Sequence, residues 1–504
     1  MAAPDLSFAD FGFHGNFING KEVPAADGAT MTTTSPATGG VCGSAAASQP
    51  VDVDAAVGAA TAAQPGWWAR PAMEREAVLL RCADALERNV GALARVLMWD
   101  SGSVKGKAMM EVMYSASLFR TAAGEARRMY GDTFPNDKPH RISMVIREPI
   151  GVVLIVTPFN APMVLCVKSA AFALAAGNSV VAKASPDTPL VSVVLARVLY
   201  EAGVPPGVFN VVNGTTEAIA EYITAHKGIQ GIGFTGSTAV GAMVGATAAR
   251  TMKRVHLELG GKNPLLVMDD VGHTGANITV DKAVQQALMG SFYHSGQICM
   301  ASSRIIVHRA VADEFLKKLA ERADKLKVTN DLLDDSVAYG PIANTRAFEK
   351  VHTHVEAARA AGAQILCGGT GAGLLYRPTV VLLGDREQGV LWREETFGPV
   401  TVALVVDSLD EAIEAANDTD YGLSAAVLTN DVKSAFRCVR EIKAGSVHVG
   451  MHSFQSDAMA PVGGVKMSGV GKTGGKYCME HFTELKWAAI EIGEAPVPPA
   501  FANL

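Results

Sequence analysis

The feature that most constrains the fold is a series of short, wholly apolar segments separated by helix-length stretches, beginning at residue 151. The strand-like segments VVLIVT, SVVAKA and FNVVNG alternate with predicted helices over about 163–175 and 190–202. Strands without polar alternation are typical of sheets buried on both faces, and the connections are long enough for crossover helices. The pattern predicts an α/β fold with a parallel sheet, whose ligands bind beyond the carboxyl ends of its strands.

A second series with the same alternation predicts a second α/β domain. Its predicted strands lie at 254–259, 264–268, 304–308, 377–383 and 400–406, and its predicted helices at 281–293, 312–327, 345–361 and 409–416. Helical spacing of apolar residues also predicts helices over 51–97. No internal repeat or low-complexity linker separates the two series, and we place the boundary near residue 258.

The composition fits a soluble enzyme and excludes several other classes. The chain has 504 residues, 49% of them hydrophobic and 19% charged, and its net charge is −6. Because no run of basic residues stands out, nucleic acid and anionic membranes are excluded as predicted partners. The first twenty residues lack the features of an export signal, which favours the cytoplasm.

One charge-free stretch of nineteen residues, 149–167, approaches the length of a membrane span. Pro158, Asn160 and Pro162 interrupt it, and a β-branched run precedes them. We therefore predict a short buried strand there instead of a span.

The seven cysteines form no CxxC pair, which indicates free thiols in a reducing compartment and no zinc site. Cys299 differs from the others because it lies in a turn between a helical pattern and a strand, HSGQICMASSR. A thiol on such a turn can be exposed and activated by nearby hydrogen-bond donors. An ordinary buried thiol is the alternative at this point.

Glu258 ends the apolar segment VHLE directly before two glycines. A carboxylate there is costly to bury unless it is paired or protonated. The sequence predicts a raised pKa for Glu258, which would suit a general base. A salt bridge to Lys262 or Arg254 is the alternative.

Other candidate residues follow further strand-like segments. Gly236 and Gly241 lie where a helix opens, which suits either a phosphate site or a structural turn, and they match no GxGxxG or Walker motif. Lys183 ends a parallel strand, where a ligand-binding lysine and a surface lysine are both possible. Asn160 lies in a proline-bounded loop with its amide free to donate into an oxyanion hole, or serves only as a turn residue.

The order of these segments resembles that of the aldehyde dehydrogenase superfamily. The motifs are TPFN at 157–160, KAS at 183–185, FTGS at 234–237, ELGGK at 258–262, GQIC at 296–299 and ETFGP at 395–399. The likeness runs from FING at 17–20 to PVGGVKMSG at 461–469, nearly the whole chain. It implies a Rossmann-like cofactor domain over 1–129 and 149–258, an α/β catalytic domain over 259–473, and a small β oligomerisation arm and tail over 130–148 and 474–504.

The same resemblance implies a set of site residues. Cys299 is the nucleophile, Glu258 the general base, and Asn160 with the Cys299 main-chain N–H forms the oxyanion hole. An aldehyde would add to the thiolate, a nicotinamide would accept hydride, and activated water would cleave the thioester. The implied cofactor is NAD or NADP, no metal is expected, and the implied cofactor-binding residues are Thr157, Pro158, Phe159, Lys183, Ser185, Pro186, Phe234, Thr235, Gly236, Ser237, Leu259, Gly260, Glu395 and Phe397.

Four residues depart from the family pattern. Pro186 replaces a glutamate that holds the adenosine 2′-hydroxyl in many NAD-preferring members, which makes NADP compatible with the chain. Phe159, Gly450 and Val462 replace a tryptophan, an asparagine and a phenylalanine, and we expect these changes to reshape the substrate tunnel.

The expected substrate is an aromatic or other apolar aldehyde. The run 291–298 before the nucleophile contains no arginine, which counts against a clamp for a substrate carboxylate. The segments NAP at 160–162 and SVH at 446–448 resemble those of bacterial benzaldehyde, salicylaldehyde and vanillin dehydrogenases. The expected substrate residues are Lys168, Tyr293, Ile298, His448 and Phe454.

Other functions stay open at this point. A semialdehyde dehydrogenase in which Lys168 binds a distal carboxylate is the main alternative, and a catalytically silent binding or structural member is a remote one. A CoA-acylating enzyme is disfavoured because Glu258 is present as a hydrolytic base. By analogy with the family, we expect a homodimer or homotetramer.

Overall fold

The computed structural model describes residues 13–386 and 389–493. Its α-helices are Pro50–Trp68 (α1), Ala72–Arg88 (α2), Val90–Ser101 (α3), Lys105–Ala126 (α4), Pro162–Ala175 (α5), Pro189–Glu201 (α6), Thr216–Ala225 (α7), Thr238–Arg250 (α8), Val280–Phe292 (α9), Arg309–Asp324 (α10), Thr345–Ala360 (α11), Val390–Arg393 (α12), Leu409–Asn417 (α13), Val432–Glu441 (α14) and Gly475–Met479 (α15). Short 3₁₀ helices lie at Tyr293–Gly296 and Glu480–Phe482.

The strands are Phe13–His14 (β1), Asn16–Ile18 (β2), Lys21–Val23 (β3), Thr30–Thr34 (β4), Val41–Ala46 (β5), Thr133–Phe134 (β6), Arg141–Pro149 (β7), Val152–Val156 (β8), Ser179–Lys183 (β9), Phe209–Val212 (β10), Gly231–Thr235 (β11), Arg254–Glu258 (β12), Asn263–Val267 (β13), Ser302–His308 (β14), Gln364–Cys367 (β15), Gly371–Ala372 (β16), Leu375–Tyr376 (β17), Thr379–Leu382 (β18), Val400–Val406 (β19), Tyr421–Gly422 (β20), Ser424–Leu428 (β21), Ser446–Val449 (β22), Val465–Lys466 (β23), Gly469–Val470 (β24) and Thr483–Glu491 (β25).

The first large sheet is built from the alternating segments that begin at residue 151. Its strand order is β24-β12-β11-β8-β9-β10-β2-β3, and the five strands from β12 to β10 run parallel. Val153 and Ile155 of β8 pack with α2 to α6 on one face, whereas Val152 and Leu154 pack with α1 and α7 on the other. Burial on both faces explains why these strands carry no polar alternation.

The second large sheet has the order β15-β18-β19-β14-β13-β21-β22, and all its strands except β15 run parallel. Leu265 and Ile305 face α9 and α10, while Leu266 and Ile306 face α11, α13 and α14. The predicted α/β fold with parallel sheets is therefore confirmed. The charge-free stretch 149–167 contributes β8 and the start of α5, and none of the described helices has the length and apolar character needed to span a bilayer.

A third, smaller sheet joins two distant parts of the chain. β7 pairs along its whole length with β25, and β6 pairs with the other edge of β7. The predicted arm and the described part of the predicted tail thus share one antiparallel sheet. β24 pairs with β12, so the range predicted for the catalytic domain also supplies a strand to the first large sheet. The domain ranges themselves stay predictions.

Candidate active site

The carboxyl ends of the parallel strands bring several of the predicted site residues to one edge of the first sheet. The Thr157 main-chain N–H donates to the Lys183 carbonyl at 3.2 Å, at the carboxyl ends of β8 and β9. Thr235 pairs with Glu258 at the ends of β11 and β12. Because a doubly wound sheet binds ligands at this edge, these residues lie where a substrate or cofactor is expected.

A left-handed turn leads from α9 to the predicted nucleophile. His294, Ser295 and Gly296 have φ angles of 51°, 57° and 65°, a region that is unfavourable for residues other than glycine. The Ser295 hydroxyl donates to the Gly340 carbonyl at 2.7 Å. A Cβ at position 296 would lie 2.1 Å from the Gly398 carbonyl oxygen. The close packing therefore requires glycine there and holds the turn in place.

Cys299 follows this turn and is half-buried. Burial, together with the carboxylates of Glu258 and Glu395, raises the pKa of its thiol to about 12. A hydrogen bond with the Met300 main chain acts in the opposite direction. Cys299 is thus neither the exposed thiol nor the ordinary buried thiol that the sequence left open, and burial with two nearby carboxylates disfavours its thiolate.

Asn160 lies in the loop between β8 and α5 and is buried. Its side-chain Nδ2 donates to the Gln297 main-chain carbonyl at 2.8 Å. The main-chain carbonyl of Asn160 accepts a hydrogen bond from Lys107 Nζ at 2.7 Å. The expectation of a free amide is therefore wrong for one of its two N–H bonds. The bond to Gln297 fixes the plane of the amide and links it to the turn that carries Cys299.

Glu258 is buried at the end of β12. Its Oε1 lies 3.9 Å from Lys168 Nζ and 3.3 Å from His256 Nε2. The Thr473 hydroxyl donates to the same oxygen at 3.5 Å. Three different segments of the chain thus meet at one carboxylate oxygen.

The charge state of Glu258 differs from the prediction. Burial raises its pKa, but Lys168, His256 and Lys472 outweigh burial and hold the pKa below its ordinary value. The predicted raised pKa is therefore wrong, because the sequence did not show that Lys168, His256 and Lys472 converge on the carboxylate.

The predicted ion-pair partners of Glu258 are also wrong. Arg254 instead pairs with Glu484 at 2.6 Å on the surface. Lys262 is buried near Arg304, and burial with that neighbouring charge lowers its pKa to about 7. Lys168, predicted only as a substrate residue, is the lysine paired with Glu258.

A mostly apolar cavity of about 600 Å³ reaches Cys299 and Asn160. Four of the five predicted substrate residues line it, namely Lys168, Tyr293, Ile298 and Phe454. The Tyr293 and Phe454 rings stack with centroids 5.8 Å apart, and Phe454 stacks on His452 at 5.9 Å. The cavity thus has an aromatic wall beside the predicted nucleophile.

His448 does not line this cavity, so its predicted place in the tunnel wall is wrong. It lies on β22 opposite Ala426, and the sheet half-buries its side chain. The loop after β22 instead brings His452 to the cavity. Strand pairing fixes His448, whereas the direction of the following loop is not visible in the sequence.

Several lining residues were missed by the sequence analysis. Met110, Met113 and Met289 are 39%, 45% and 48% exposed and line the cavity. Lys107 and Glu111 also line it, and their spacing of four residues on a helical pattern was the only signal that could have paired them.

The residues predicted to hold a cofactor pyrophosphate surround the N-terminus of α8. Ser237 is exposed and caps this helix, accepting a hydrogen bond from the Val240 N–H at 3.5 Å. A Cβ at Gly236 would lie 2.6 Å from the Phe234 ring, and one at Gly241 would lie 2.2 Å from Leu259. The glycines therefore allow close packing around a helix N-terminus, where free N–H groups suit an anion.

A second group of predicted cofactor residues lies between the two large sheets. The Gly261 N–H donates to Glu395 Oε1 at 3.0 Å, and a Cβ at Gly260 would lie 2.6 Å from Glu395 Oε2. Phe159 and Phe397 meet edge to face with ring centroids 5.9 Å apart. Glu395 thus lies against a glycine-lined main chain, with an aromatic pair formed by residues from both halves.

The donor set fits a dinucleotide. The α8 N-terminus suits the pyrophosphate, and Lys183 and Glu395 are an ammonium and a carboxylate suited to ribose hydroxyls. Ser185 and Pro186 lie just after β9, next to Lys183. The close contacts at Gly236 and Gly260 leave no room for a side chain.

Comparison with known proteins identifies the family. Residues 23–488 match the aldehyde dehydrogenase family. Vanillin dehydrogenase of Pseudomonas fluorescens is 37% identical over 95% of this chain and 98% of its own length. The NADP(+) succinate-semialdehyde dehydrogenase of Escherichia coli is 35% identical over 94% of this chain and 97% of its own.

The fold agrees with a solved structure. Betaine aldehyde dehydrogenase of Staphylococcus aureus, in complex with NAD+, is 31% identical, with a TM-score of 0.92 and 96% coverage of both chains. The predicted resemblance to aromatic aldehyde dehydrogenases is confirmed, as is NAD or NADP as the cofactor of the family. The chain belongs to the aldehyde dehydrogenase family of oxidoreductases.

Proposed function

We propose that this protein oxidises an aromatic or other apolar aldehyde to its carboxylic acid with NAD or NADP, through a thioester on Cys299. The observation that carries the proposal is the mostly apolar cavity of about 600 Å³ that joins Cys299 and Asn160 to the stacked rings of Tyr293, Phe454 and His452. Flat aromatic rings pack favourably on such a wall. The similarity to vanillin dehydrogenase supports the same substrate class.

The first step is addition of Cys299 to the aldehyde. The thiol loses its proton to bulk solvent as its sulfur bonds to the aldehyde carbon. The aldehyde oxygen becomes an anion and accepts hydrogen bonds from Asn160 Nδ2 and the Cys299 main-chain N–H. The product is a thiohemiacetal on Cys299.

The second step is oxidation of that carbon. When bound, the nicotinamide would supply the acceptor for the hydride that this carbon loses, which would leave a thioester on Cys299. Phe159 and Phe397 would support the nicotinamide, the α8 N-terminus would hold the pyrophosphate, and Lys183 and Glu395 would hold ribose hydroxyls. Position 186 is a proline, which has no carboxylate to hold the adenosine 2′-hydroxyl. The site therefore accepts either NAD or NADP.

The third step is hydrolysis. Glu258 is ionised at neutral pH because the nearby cations lower its pKa. Its carboxylate takes a proton from water, the water oxygen bonds to the thioester carbon, and the Cys299 thiolate leaves with the carboxylic acid as product. Transfer to CoA is disfavoured because Glu258 supplies this hydrolytic base.

A semialdehyde is the second candidate substrate, favoured by the cation of Lys168 in the cavity wall. That ammonium already lies 3.9 Å from Glu258. A substrate carboxylate would compete with the base for the same cation, and the neutral aldehyde is therefore preferred. A non-catalytic role is the remote third candidate, and the grouping of Cys299, Asn160 and Glu258 argues against it.

We also propose a cytoplasmic homodimer or homotetramer joined through the small sheet of β6, β7 and β25. Leu485 and Trp487 are 59% and 62% exposed on one face of this sheet. Ile142, Ile146 and Ile490 are exposed on the other face. Exposed apolar groups on both faces favour burial against another copy.

The deciding experiment follows the absorbance of the reduced nicotinamide with benzaldehyde and with succinic semialdehyde, each with NAD and with NADP. Faster oxidation of benzaldehyde supports the proposal, and faster oxidation of succinic semialdehyde overturns the substrate class. Cys299→Ala should abolish turnover while cofactor binding persists. Cys367→Ala, a half-buried thiol outside the cavity, is the matched control and should keep full activity.

A further inference from the structure

We propose that Lys107 is a positioning residue which, together with Glu111, fixes Asn160 for stabilisation of the oxyanion. This inference rests on the proposed function and adds a buried ion pair to it. The pair lies in α4, outside every motif that carries the family resemblance.

The pair is almost completely buried at the wall of the cavity. The side chains of Lys107 and Glu111 are 4% and 1% exposed, and Lys107 Nζ lies 2.5 Å from Glu111 Oε2. The same ammonium donates to the Asn160 carbonyl at 2.7 Å. Lys107 thus reaches from α4 to the main chain of the residue that supplies the oxyanion donor.

Glu111 holds the other end of the same loop. Its Oε1 accepts hydrogen bonds from the Met163 and Val164 N–H groups at 2.9 Å and 3.2 Å, in the first turn of α5. A carboxylate at a helix N-terminus satisfies otherwise unpaired N–H groups and interacts favourably with the helix dipole. The loop that contains Asn160 is therefore tied to α4 at its carbonyl and at the helix that follows.

The side chain of Asn160 completes a connected path to the nucleophile. Its Nδ2 donates to the Gln297 carbonyl, and Gln297 Oε1 accepts from the Ala343 N–H at 2.9 Å. Gln297 lies two residues before Cys299. Hydrogen bonds thus run from Lys107 through Asn160 to the turn of Cys299, so that a shift of the loop would move the amide relative to the sulfur.

Stability alone does not explain this ion pair. Burying two charges costs desolvation free energy, and well-packed neutral replacements of such pairs are often neutral or stabilising. Burial and the charge of Lys107 lower the pKa of His294 well below its ordinary value, although the Asn160 main chain acts in the opposite direction. What Lys107 and Glu111 contribute instead is a fixed position for Asn160, because their contacts end on the main chain on both sides of that residue.

The test uses the double variant Lys107→Met/Glu111→Gln in the full chain. Methionine keeps the length of the side chain without a donor, and a glutamine oxygen can still accept from the first turn of α5. We expect the rate constant of the first burst of reduced nicotinamide with benzaldehyde to fall about 10- to 100-fold. The KM for benzaldehyde and the thermal unfolding midpoint should stay near those of the unmodified protein.

Two reference variants make the result specific. Asn160→Ala should slow the burst by roughly 10²- to 10³-fold, the usual effect of losing one oxyanion donor. Adding the double variant to Asn160→Ala should then slow it less than about twofold further, because both act through one amide. Lys105→Met, two residues earlier in α4 and paired with Asp335 on the surface, should leave the burst unchanged.

Each outcome has a distinct meaning. An unchanged burst in Lys107→Met/Glu111→Gln, with Asn160→Ala slow, overturns the positioning role and leaves the proposed function intact. A higher KM for charged aldehydes with an unchanged burst also overturns it, because Lys107 would then bind substrate. An additive loss in the triple variant indicates only general disruption and overturns it too. If the unmodified protein oxidises no aldehyde, the proposed function itself fails.

Discussion

Two charged clusters approach the cavity at Cys299, and they are packed very differently. On the oxyanion side, Lys107 and Glu111 make contacts of 2.5 to 3.2 Å with each other and with the main chain around Asn160. On the base side, Glu258 Oε1 has partners at 3.3 to 3.9 Å. Short contacts suit a donor that must keep its position, whereas long contacts suit a carboxylate that must take a proton from water and release it.

The largest effect should come from the base side, with Glu258→Gln. Without a base, thioester hydrolysis should slow by about 10²- to 10⁴-fold. Loss of the Glu258 charge should lower the pKa of Cys299, because that carboxylate raises it. Stopped-flow absorbance should therefore show an intact burst of reduced cofactor followed by almost no turnover. Full steady-state turnover would contradict the assigned role.

The next largest effect should come from Asn160→Ala, which tests the oxyanion side separately from the base side. Its burst, and not only its steady state, should slow by roughly 10²- to 10³-fold, because the thiohemiacetal oxyanion loses a donor. Quenched samples analysed by mass spectrometry should show no accumulated thioester. A normal burst with thioester accumulation would assign Asn160 to the base side instead.

A smaller effect should follow from Lys168→Met, which removes the ammonium 3.9 Å from the Glu258 carboxylate. Burial raises the pKa of Glu258 and Lys168 opposes it most strongly, so loss of Lys168 should raise that pKa. A carboxyl with a raised pKa is protonated over more of the acid range. The steady-state pH profile should therefore lose activity on its acid side and keep it on its alkaline side. Lys472 lowers the pKa of Glu258 less than Lys168 does. Lys472→Met should therefore shift the acid limb of the pH profile less.

The smallest effect concerns the wall between the two clusters. Phe454→Ala removes stacking contacts worth about 0.5–1.5 kcal/mol, which should raise the KM for benzaldehyde roughly two- to tenfold. The KM for acetaldehyde should change little, since that substrate offers no ring. Phe436→Ala, an exposed side chain on α14, is the matched control. Equal effects on both aldehydes would argue against an aromatic site.

The sequence predicts the fold well where burial requires a continuous run of apolar residues. β8, β9 and β10 are apolar on both faces, and the predicted strands and crossover helices lie within a few residues of those in the structure. The order of short motifs was enough to identify the family. These features depend on residues that are neighbours in the sequence.

The errors concern contacts between distant segments. The sign of the pKa shift of Glu258 depends on Lys168 from α5 and Lys472 from a loop beyond β24. No local sequence pattern indicates that these lysines lie near Glu258. The half-engaged amide of Asn160 depends on Gln297 in the same way. His448 and His452 are equally plausible in sequence, and only the end of β22 decides which one reaches the cavity.

The pairing of β7 with β25 has a consequence for synthesis of the chain. Nine residues of β7 pair with nine residues near the end of the described chain, and until these exist only the two-residue β6 can cover one edge of β7. On the ribosome, β7 therefore emerges long before its partner and exposes an unpaired strand that carries Ile142 and Ile146. Unpaired edges of this kind promote aggregation while they are exposed. A polypeptide released before β25 is translated would keep this unpaired edge. Pairing of β7 therefore requires that translation has passed β25.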